Sequence, residues 1–410
     1  MAARGEHLLR GDRRFATGGN WFAKLAAPAT GRVLDELDRR IPEGGIAVTT
    51  PDGATRRIGF RAAGPQAAVT LNSWLALVRL ATSGSVGWYK AWDLGEWSSP
   101  DPVVIFELFS RNAIALGEAG RAKGAFRWLN SVAHRRRDNG IRRARANISA
   151  HYDLGNDFYA AWLDSTMTYS SAWWEQESAL EDAQSYKIAR LLDRLNLTVG
   201  DRLLEIGCGW GSLAMTAARR GANVVGLTLS TEQKDWAERE LSERVEIRLQ
   251  DYRDIDEQFD AIASVEMVEA VGRRWWGAYL DTVARNLKLG GRAALQFIYM
   301  RPELFDRYAT NADFIQTYIF PGGMLINEPE FRSLAEARGL SWQDRSADFG
   351  VEYALTLKRW RANYDDAVEH GQLEGFSDEF HRLWRYYLMY CEGGFRGGAI
   401  GVAQVTLVKS

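Results

Sequence analysis

From about residue 185 to residue 300 the chain alternates helical and strand-like stretches, and this alternation restricts its fold more than any other feature. "SYKIARLLDRLNL" reads as a helix, "RLLEIG" as a strand, "GSLAMTAARRG" as a helix closed by Gly221, and "NVVGLTLS" as a strand. "STEQKDWAERELSE" follows, with Ser230 placed as the N-cap and Glu232 or Gln233 near the capping-box position. "VEIRLQ", "FDAIASVE" and "GRAALQFIY" read as further strands, the last behind the Gly290-Gly291 turn. Strands separated by helices predict an α/β fold with a parallel, doubly wound sheet.

Within that pattern, "LLEIGCGWGSLA" puts Gly207, Gly209 and Gly211 between a strand and a helix. Glycines there let the backbone turn tightly and approach a ligand, whose polar groups then meet the helix N-terminus. The spacing G-x-G-x-G followed by Ser212 fails the dinucleotide fingerprint G-x-G-x-x-G and lacks the Lys-Ser/Thr of a phosphate-binding loop. A glycine turn alone is a weak signal. Its company sharpens it: Glu205 at the strand end, a second strand ending in "LTLS", and "LQDYRD" (Leu249 to Asp254) after the third.

A chain of 410 residues is comfortable for two domains. Residues 1–120 carry short strand-like runs ("RRIGF", "AAVTL") and helical ones ("SWLALVRLATS", "PVVIFELFSRNAIAL"), which predict a smaller α+β domain. Residues 121–147 form a basic linker containing "AHRRRDNGIRRARAN", with six arginines; it is either a solvated face or a contact with anionic headgroups, worth about 1 kcal/mol per basic residue. Residues 148–410 are left for the catalytic domain. A net charge of −2 does not suggest nucleic acid as a partner. Two cysteines, and a polar N-terminus without an apolar core segment, predict a cytoplasmic protein without a disulfide framework. No Cys or His spacing suits a metal, and Cys391 reads as a small buried apolar residue. No apolar run reaches the roughly 18 residues needed to span a bilayer, so contact with lipid would be peripheral, at the membrane surface. Sixteen Trp is an unusual number; rings at that density fill cores, but they also line apolar clefts and sit at lipid interfaces.

The stretches "HYDLGNDFY", "MTYSSAWW", "LLEIGCGWGSLA", "GLTLSTEQ", "LQDYRD", "FPGGML" and "CEGGFR" run in order from about residue 148 to the C-terminus. Together they resemble the cyclopropane fatty acid synthase family of class I methyltransferases, which includes the mycolic acid cyclopropane synthases. "VGWYKAWDLGEWSSPDPVVIFELFSRN" resembles, more loosely, the small N-terminal domain of the phospholipid-modifying members. The resemblance implies a Rossmann-like sheet ending in an antiparallel strand near the C-terminus, a helical cap, and S-adenosylmethionine as cofactor. It places Gly207 and Gly209 against the methionine moiety, Thr228 and Gln233 near the ribose, and Gln250 with Asp251 near the adenine, with Tyr169 and Ser170 closing over the cofactor. The implied reaction is methyl transfer to the cis double bond of a phospholipid-bound acyl chain, closing to a cyclopropane. The alternatives are a methyl-branched or methylene chain, or methylation of a soluble small molecule. The N-terminal segment and the arginine run are assigned to membrane docking or homodimer contacts.

Methyl transfer to an alkene leaves a carbocation, which aromatic faces stabilise by roughly 0.5 to 2 kcal/mol per ring. Tyr169, Trp173 and Trp174, with Tyr152, Phe158 and Tyr159, are therefore expected to roof the cofactor and line an apolar acyl channel, and "FIQTYIFPGGML" (Phe314 to Leu325) to be a loop packed near it. Family members hold bicarbonate as the base, gripped by Cys, Glu, His, an Ile backbone group and Tyr. The corresponding positions are Ser171, Glu269, Gln296, Ile298 and Tyr353, so Cys is replaced by Ser and His by Gln; Ala270 also replaces a His that commonly follows the Glu. Ser171 and Gln296 still supply donors for an anion, but a titrating group is lost. Glu269 is left as the one strong protein base of the set, either orienting bicarbonate or taking the proton itself.

Overall fold

The computed structural model describes residues 4–9, 21–117, 154–175, 179–240, 242–310 and 313–410. The arginine run at 133–147 and Tyr152 lie outside the described residues. Two compact units are assembled from interleaved segments: Met1–Arg137 with Glu303–Pro321 and Gly375–Ile400, and Asp138–Pro302 with Gly322–Glu374 and Gly401–Ser410. The division at 120 and 148 follows chain order, whereas these units do not. Two later segments complete the first unit, where Gly393 lies against Phe106 and Val103 and Phe314 and Tyr386 pack on Tyr89.

The first unit holds β1 (Gly45–Thr49), β2 (Thr55–Gly59), β3 (Gln66–Leu71) and β4 (Trp97–Ser98) in the order β2-β1-β3-β4. Strand β3 alternates exposed and buried residues, with Ala67, Val69 and Leu71 on the buried face, as expected of a sheet covered on one side. Asp101 accepts from Val103 N and Pro102 opens the helix Pro102–Arg111, while Ser377 caps the helix Asp378–Gly397 by accepting from Phe380 N. The two helices approach closely at Gly393. A Cβ there would lie 2.4 Å from Phe106 Cβ and 2.6 Å from Val103 O, so "CEGGF" carries glycine where a neighbouring backbone leaves no room.

Tyr89, Phe106, Phe314, Tyr318, Tyr386 and Tyr390 form the aromatic interior of this unit. Asp313 is half-buried beside them, accepting from Ser85 Oγ and Tyr390 Oη, both at 3.0 Å. Phe314 to Phe320 is therefore not a loop. Ile315–Ile319 makes a π-helical turn, and the rings of Phe314 before it and Tyr318 within it pack in the core of the first unit.

The second unit is built on β5 (Arg202–Ile206), β6 (Asn223–Thr228), β7 (Val245–Leu249), β8 (Phe259–Val265), β9 (Leu287–Met300), β10 (Leu340–Gln343) and β11 (Ile400–Lys409). Their order is β10-β11-β9-β8-β5-β6-β7. The β5, β6, β7, β8 and β9 pairings are parallel, and β11 runs antiparallel to β10. The expected doubly wound sheet with its terminal antiparallel strand is thus present. Buried Leu203, Val224, Ile247 and Ala261 from the strands meet Leu191, Leu192, Leu213 and Ala217 from the helices in one core. Strand β9 starts earlier than the sequence pattern implies: Gly290 and Gly291 lie inside it, absorbed by a register shift against Phe259 and Ala261. Between β5 and β8 the winding direction changes, and the ends of β5, β6 and β8 open onto the crevice where such sheets bind ligands.

Gly393→Val is expected to destabilise the first unit by about 3 kcal/mol, because the new methyls meet backbone rather than a movable side chain. A melting temperature within a degree or so of wild type would show that the helices can separate at no cost.

Candidate active site

The glycine turn leaves β5 through three residues with positive φ: Gly207 (82°), Gly209 (52°) and Gly211 (92°). Any other residue would cost about 1–2 kcal/mol at each. Gly207 N and Cys208 N both donate to Leu227 O, at 3.0 and 2.9 Å, which ties the turn to the end of β6. A Cβ on Gly207 would press on Met267 Cγ at 2.8 Å, whereas one on Gly209 would meet nothing within 4 Å. The Gly209 backbone is thus the open face of the turn, lying just ahead of the helix Ser212–Arg219.

At the end of β6, Thr228 Oγ1 donates to Gln233 Oε1 at 2.8 Å and accepts from Ser230 N. Ser230 caps the next helix by accepting from Gln233 N at 3.2 Å, as its sequence position predicts. Gln250 N donates to Thr228 O at 3.1 Å, bringing the end of β7 alongside. Asp251 is buried and held by Arg253 in a two-point pair at 2.6 and 2.8 Å. Its carboxylate therefore serves its own turn, and the polar surface offered at the end of β7 is the neighbouring Gln250. Open backbone at a helix N-terminus, flanked by a hydroxyl and two amides, fits S-adenosylmethionine.

Tyr169, Ser170 and Ser171 face three different environments in succession. The Tyr169 ring lies 5.6, 5.5 and 5.3 Å from the rings of Tyr159, Trp162 and Trp360, and Phe158 packs edge-on to Tyr159. Ser170 Oγ accepts from Lys187 Nζ at 2.7 Å. Ser171 N donates to Glu266 Oε1 at 2.9 Å. Of the two tryptophans that follow, Trp173 stacks on Phe349 at 4.3 Å beneath Arg190, and Trp174 Nε1 donates to Thr356 Oγ1 at 3.0 Å. They anchor the segment to the helix Gly350–Glu369. Tyr169's ring neighbours are instead Tyr159, Trp162 and Trp360, and of these Trp162 and Trp360 were not singled out from the sequence.

The five positions matched to the anion site come together around a sixth residue. Glu266 Oε1 accepts from Gln296 Nε2 at 2.8 Å as well as from Ser171 N, and Tyr353 hydrogen-bonds the same carboxyl. Gln404 Nε2 donates to Gln296 Oε1 at 3.0 Å and so turns the Gln296 amide nitrogen toward Glu266. Ser171 Oγ donates to Ala172 O, and Ile298 N donates to Glu269 Oε1. The donors an anion would need are thus directed at protein acceptors, and two carboxyl groups already share the space. This arrangement does not fit a bound bicarbonate.

Glu266 was hidden from the sequence reading because "FDAIASVE" passes as one strand. The strand ends at Val265, and Glu266 adopts φ 49°, a left-handed conformation costing roughly 1–3 kcal/mol for a residue with a Cβ. Lys187 was missed for a similar reason, since a lysine in an amphipathic helix is normally solvated; here it is 1% exposed. Two glutamates three residues apart at a strand end were the one available signal.

Burial dominates the ionisation of this interior. Glu205 and Glu269 are each pushed up to about 8, Glu269 also by repulsion from Glu266, and Lys187 is brought down to about 8 against the attraction of Glu266, Asp164 and Glu205. Burial also raises Glu266, opposed by Gln296, Lys187, Ser171 and Tyr353. Glu205 Oε2 and Glu269 Oε2 are buried without a hydrogen-bond partner among the described residues. Of the adjacent pair, Glu266 has the donors and ionises first, and Glu269 keeps its proton. Among the described residues no cluster suits a metal, and no helix is long and apolar enough to cross a membrane.

A carboxyl whose pKa is raised by folding contributes stability that is full below its unfolded value near 4.5 and is lost as pH rises through about 8. Lys187 acts in the opposite sense, relieving its cost only above about 8. Wild type without cofactor should therefore lose melting temperature from about pH 5 to about pH 8, and Glu205→Gln should lose less across that window. Parallel melting curves for the two proteins would show that Glu205 is not held as the acid.

Comparison with known proteins matches this architecture. The family model described as mycolic acid cyclopropane synthetase matches residues 140–405. The tuberculostearic acid methyltransferase UfaA1 of Mycobacterium tuberculosis is 37% identical over 349 residues, 81% of this chain and 80% of that protein. The cyclopropane-fatty-acyl-phospholipid synthase of Escherichia coli K12 is 35% identical over 337 residues, covering 81% and 85% of the two chains. Among solved structures, mycolic acid cyclopropane synthase CmaA1 complexed with SAH and CTAB superposes with a TM-score of 0.60 at 34% identity, covering 65% of this chain and 98% of that one. The fold is that of a class I methyltransferase, and the chain belongs to the mycolic acid cyclopropane synthetase family.

Proposed function

We propose that this S-adenosylmethionine-dependent methyltransferase modifies the cis double bond of an unsaturated acyl chain carried by a membrane phospholipid, and that it does so from the membrane surface. The observation that carries the reading is the run Tyr169–Ser171, which joins an aromatic cluster, a buried lysine and a carboxylate within three residues. The bound cofactor supplies an electrophilic methyl group. The glycine turn and the ends of β6 and β7 hold and orient it, through Gly207, Gly209, Thr228, Gln233 and Gln250. Tyr169 is partly exposed and presents a ring suited to a transient cation, backed by the buried rings of Tyr159, Trp162 and Trp360, which keep out water that would trap it.

Support for a phospholipid comes from the Escherichia coli relative, whose name states that substrate and whose similarity includes part of the first unit. Ring closure to a cyclopropane is the leading product. A methylene or, with an external reductant, a methyl-branched chain is the second reading, favoured by the 37% identity to a tuberculostearic acid methyltransferase.

Incubation with trideuteromethyl-labelled S-adenosylmethionine and vesicles of cis-unsaturated phospholipid should label the acyl chains. Two retained deuteriums with upfield ring protons identify the cyclopropane, two on an exocyclic methylene identify the methylene chain, and a methyl doublet or CHD2 group on a saturated chain without ring protons identifies the branch. Label in a soluble acceptor and none in lipid would contradict the reading.

A further inference from the structure

Glu266 is an expensive residue where it stands. Its backbone is left-handed at φ 49°, which glycine would adopt without strain, and its half-buried side chain holds a carboxyl whose charge is penalised by desolvation. Such a cost persists when surrounding interactions hold it in place, and here they converge on the carboxylate: Ser171 N at 2.9 Å, Gln296 Nε2 at 2.8 Å, and Tyr353. Those three are among the positions matched by resemblance to the grip on an external bicarbonate. The other two, Glu269 and Ile298, are bonded to each other. Gln296 is locked in donor orientation by Gln404, and the positive charge of Lys187 favours a negative Glu266.

We propose that the Glu266 side chain is this enzyme's built-in substitute for bicarbonate: a tethered carboxylate that accepts the proton released in the reaction. The inference rests on the acyl-methylation reading above. After the methyl group has joined one alkene carbon, the neighbouring carbon is electron-deficient. A C–H bond of the added methyl, or of the adjoining chain, then breaks. Its electron pair forms the ring C–C bond or a C=C bond, and the proton goes to the Glu266 carboxylate. One proton leaves for each methyl group transferred, so no oxidant, reductant or external base is required. Glu269, kept protonated beside it, balances the local charge and presents Oε1 to Ile298 N.

The test compares lipid product formation in carbon-dioxide-free buffer and after addition of sodium bicarbonate, for wild type, Glu266→Gly and Glu266→Gln. Cofactor affinity is measured by calorimetry on each protein to establish that it is folded. Wild type should turn over equally in both buffers. Both variants should lose about 100-fold or more without bicarbonate, the usual scale for removing a general base. Glu266→Gly relieves the backbone and opens the carboxylate's place, so bicarbonate should restore it; Glu266→Gln keeps the place filled by an amide and should stay slow. A wild-type enzyme that needs bicarbonate overturns the proposal, as does Glu266→Gly working at full rate without it. If wild type methylates no acyl chain in either buffer, the functional reading fails first and the inference falls with it.

Discussion

A lysine ammonium removed from water organises the catalytic unit. Lys187 sits on the helix Leu180–Asp193 with its charge directed at Ser170 Oγ, and attraction to Glu266, the strongest of the acid contacts around it, offsets part of its desolvation. One helical turn earlier, Gln184 donates to Thr168 O and Ser170 O at 3.2 and 2.9 Å. Residues three apart share a helix face, so this single face fastens the 168–171 segment while Ile188, Leu191 and Leu192 bury the adjoining one. The position of Tyr169 over its ring cluster, of Ser171 N against Glu266, and of the glycine turn beside Glu205 all depend on that arrangement.

The same interior explains why an acid and a carboxylate coexist side by side. Two desolvated carboxyls that repel each other cannot both ionise cheaply, and the one with more donors wins. Glu266 has Ser171, Gln296 and Tyr353, whereas Glu269 has only backbone donors, Ile298 N and its own N–H, and one buried oxygen without a partner among the described residues. Replacement of the usual Cys and His by Ser171 and Gln296 then becomes intelligible. A tethered carboxylate calls for neutral donors, and a second titrating group would only compete with it for the proton.

Much of the parallel sheet was legible because its signals are local. The helix capped at Ser230, the glycine turn after Ile206 and the strand after Asn223 follow from spacing and cap chemistry within a few residues. The terminal strand Ile400–Lys409 was legible by resemblance. What was not legible depends on distant contacts. Ile315–Ile319 reads as a loop until Tyr89 and Tyr386 are brought against its neighbours, and Lys187 reads as a surface residue until three acids converge on it. Glu266 was lost to a strand pattern that runs one residue too far; only backbone geometry shows where the strand stops. Trp173 and Trp174 look equivalent to Tyr169 in the sequence, yet the chain turns them toward Phe349 and Thr356.

The central claim is that a protein carboxylate occupies the place of the external base. It is tested most directly by a crystal structure with the spent cofactor bound, grown in bicarbonate at neutral pH. The account predicts the Glu266 carboxylate between Ser171 N and Gln296 Nε2, with no triangular anion beside Glu269. Planar density for bicarbonate on Ile298 N and Tyr353, with Glu266 swung out of the site, would contradict it.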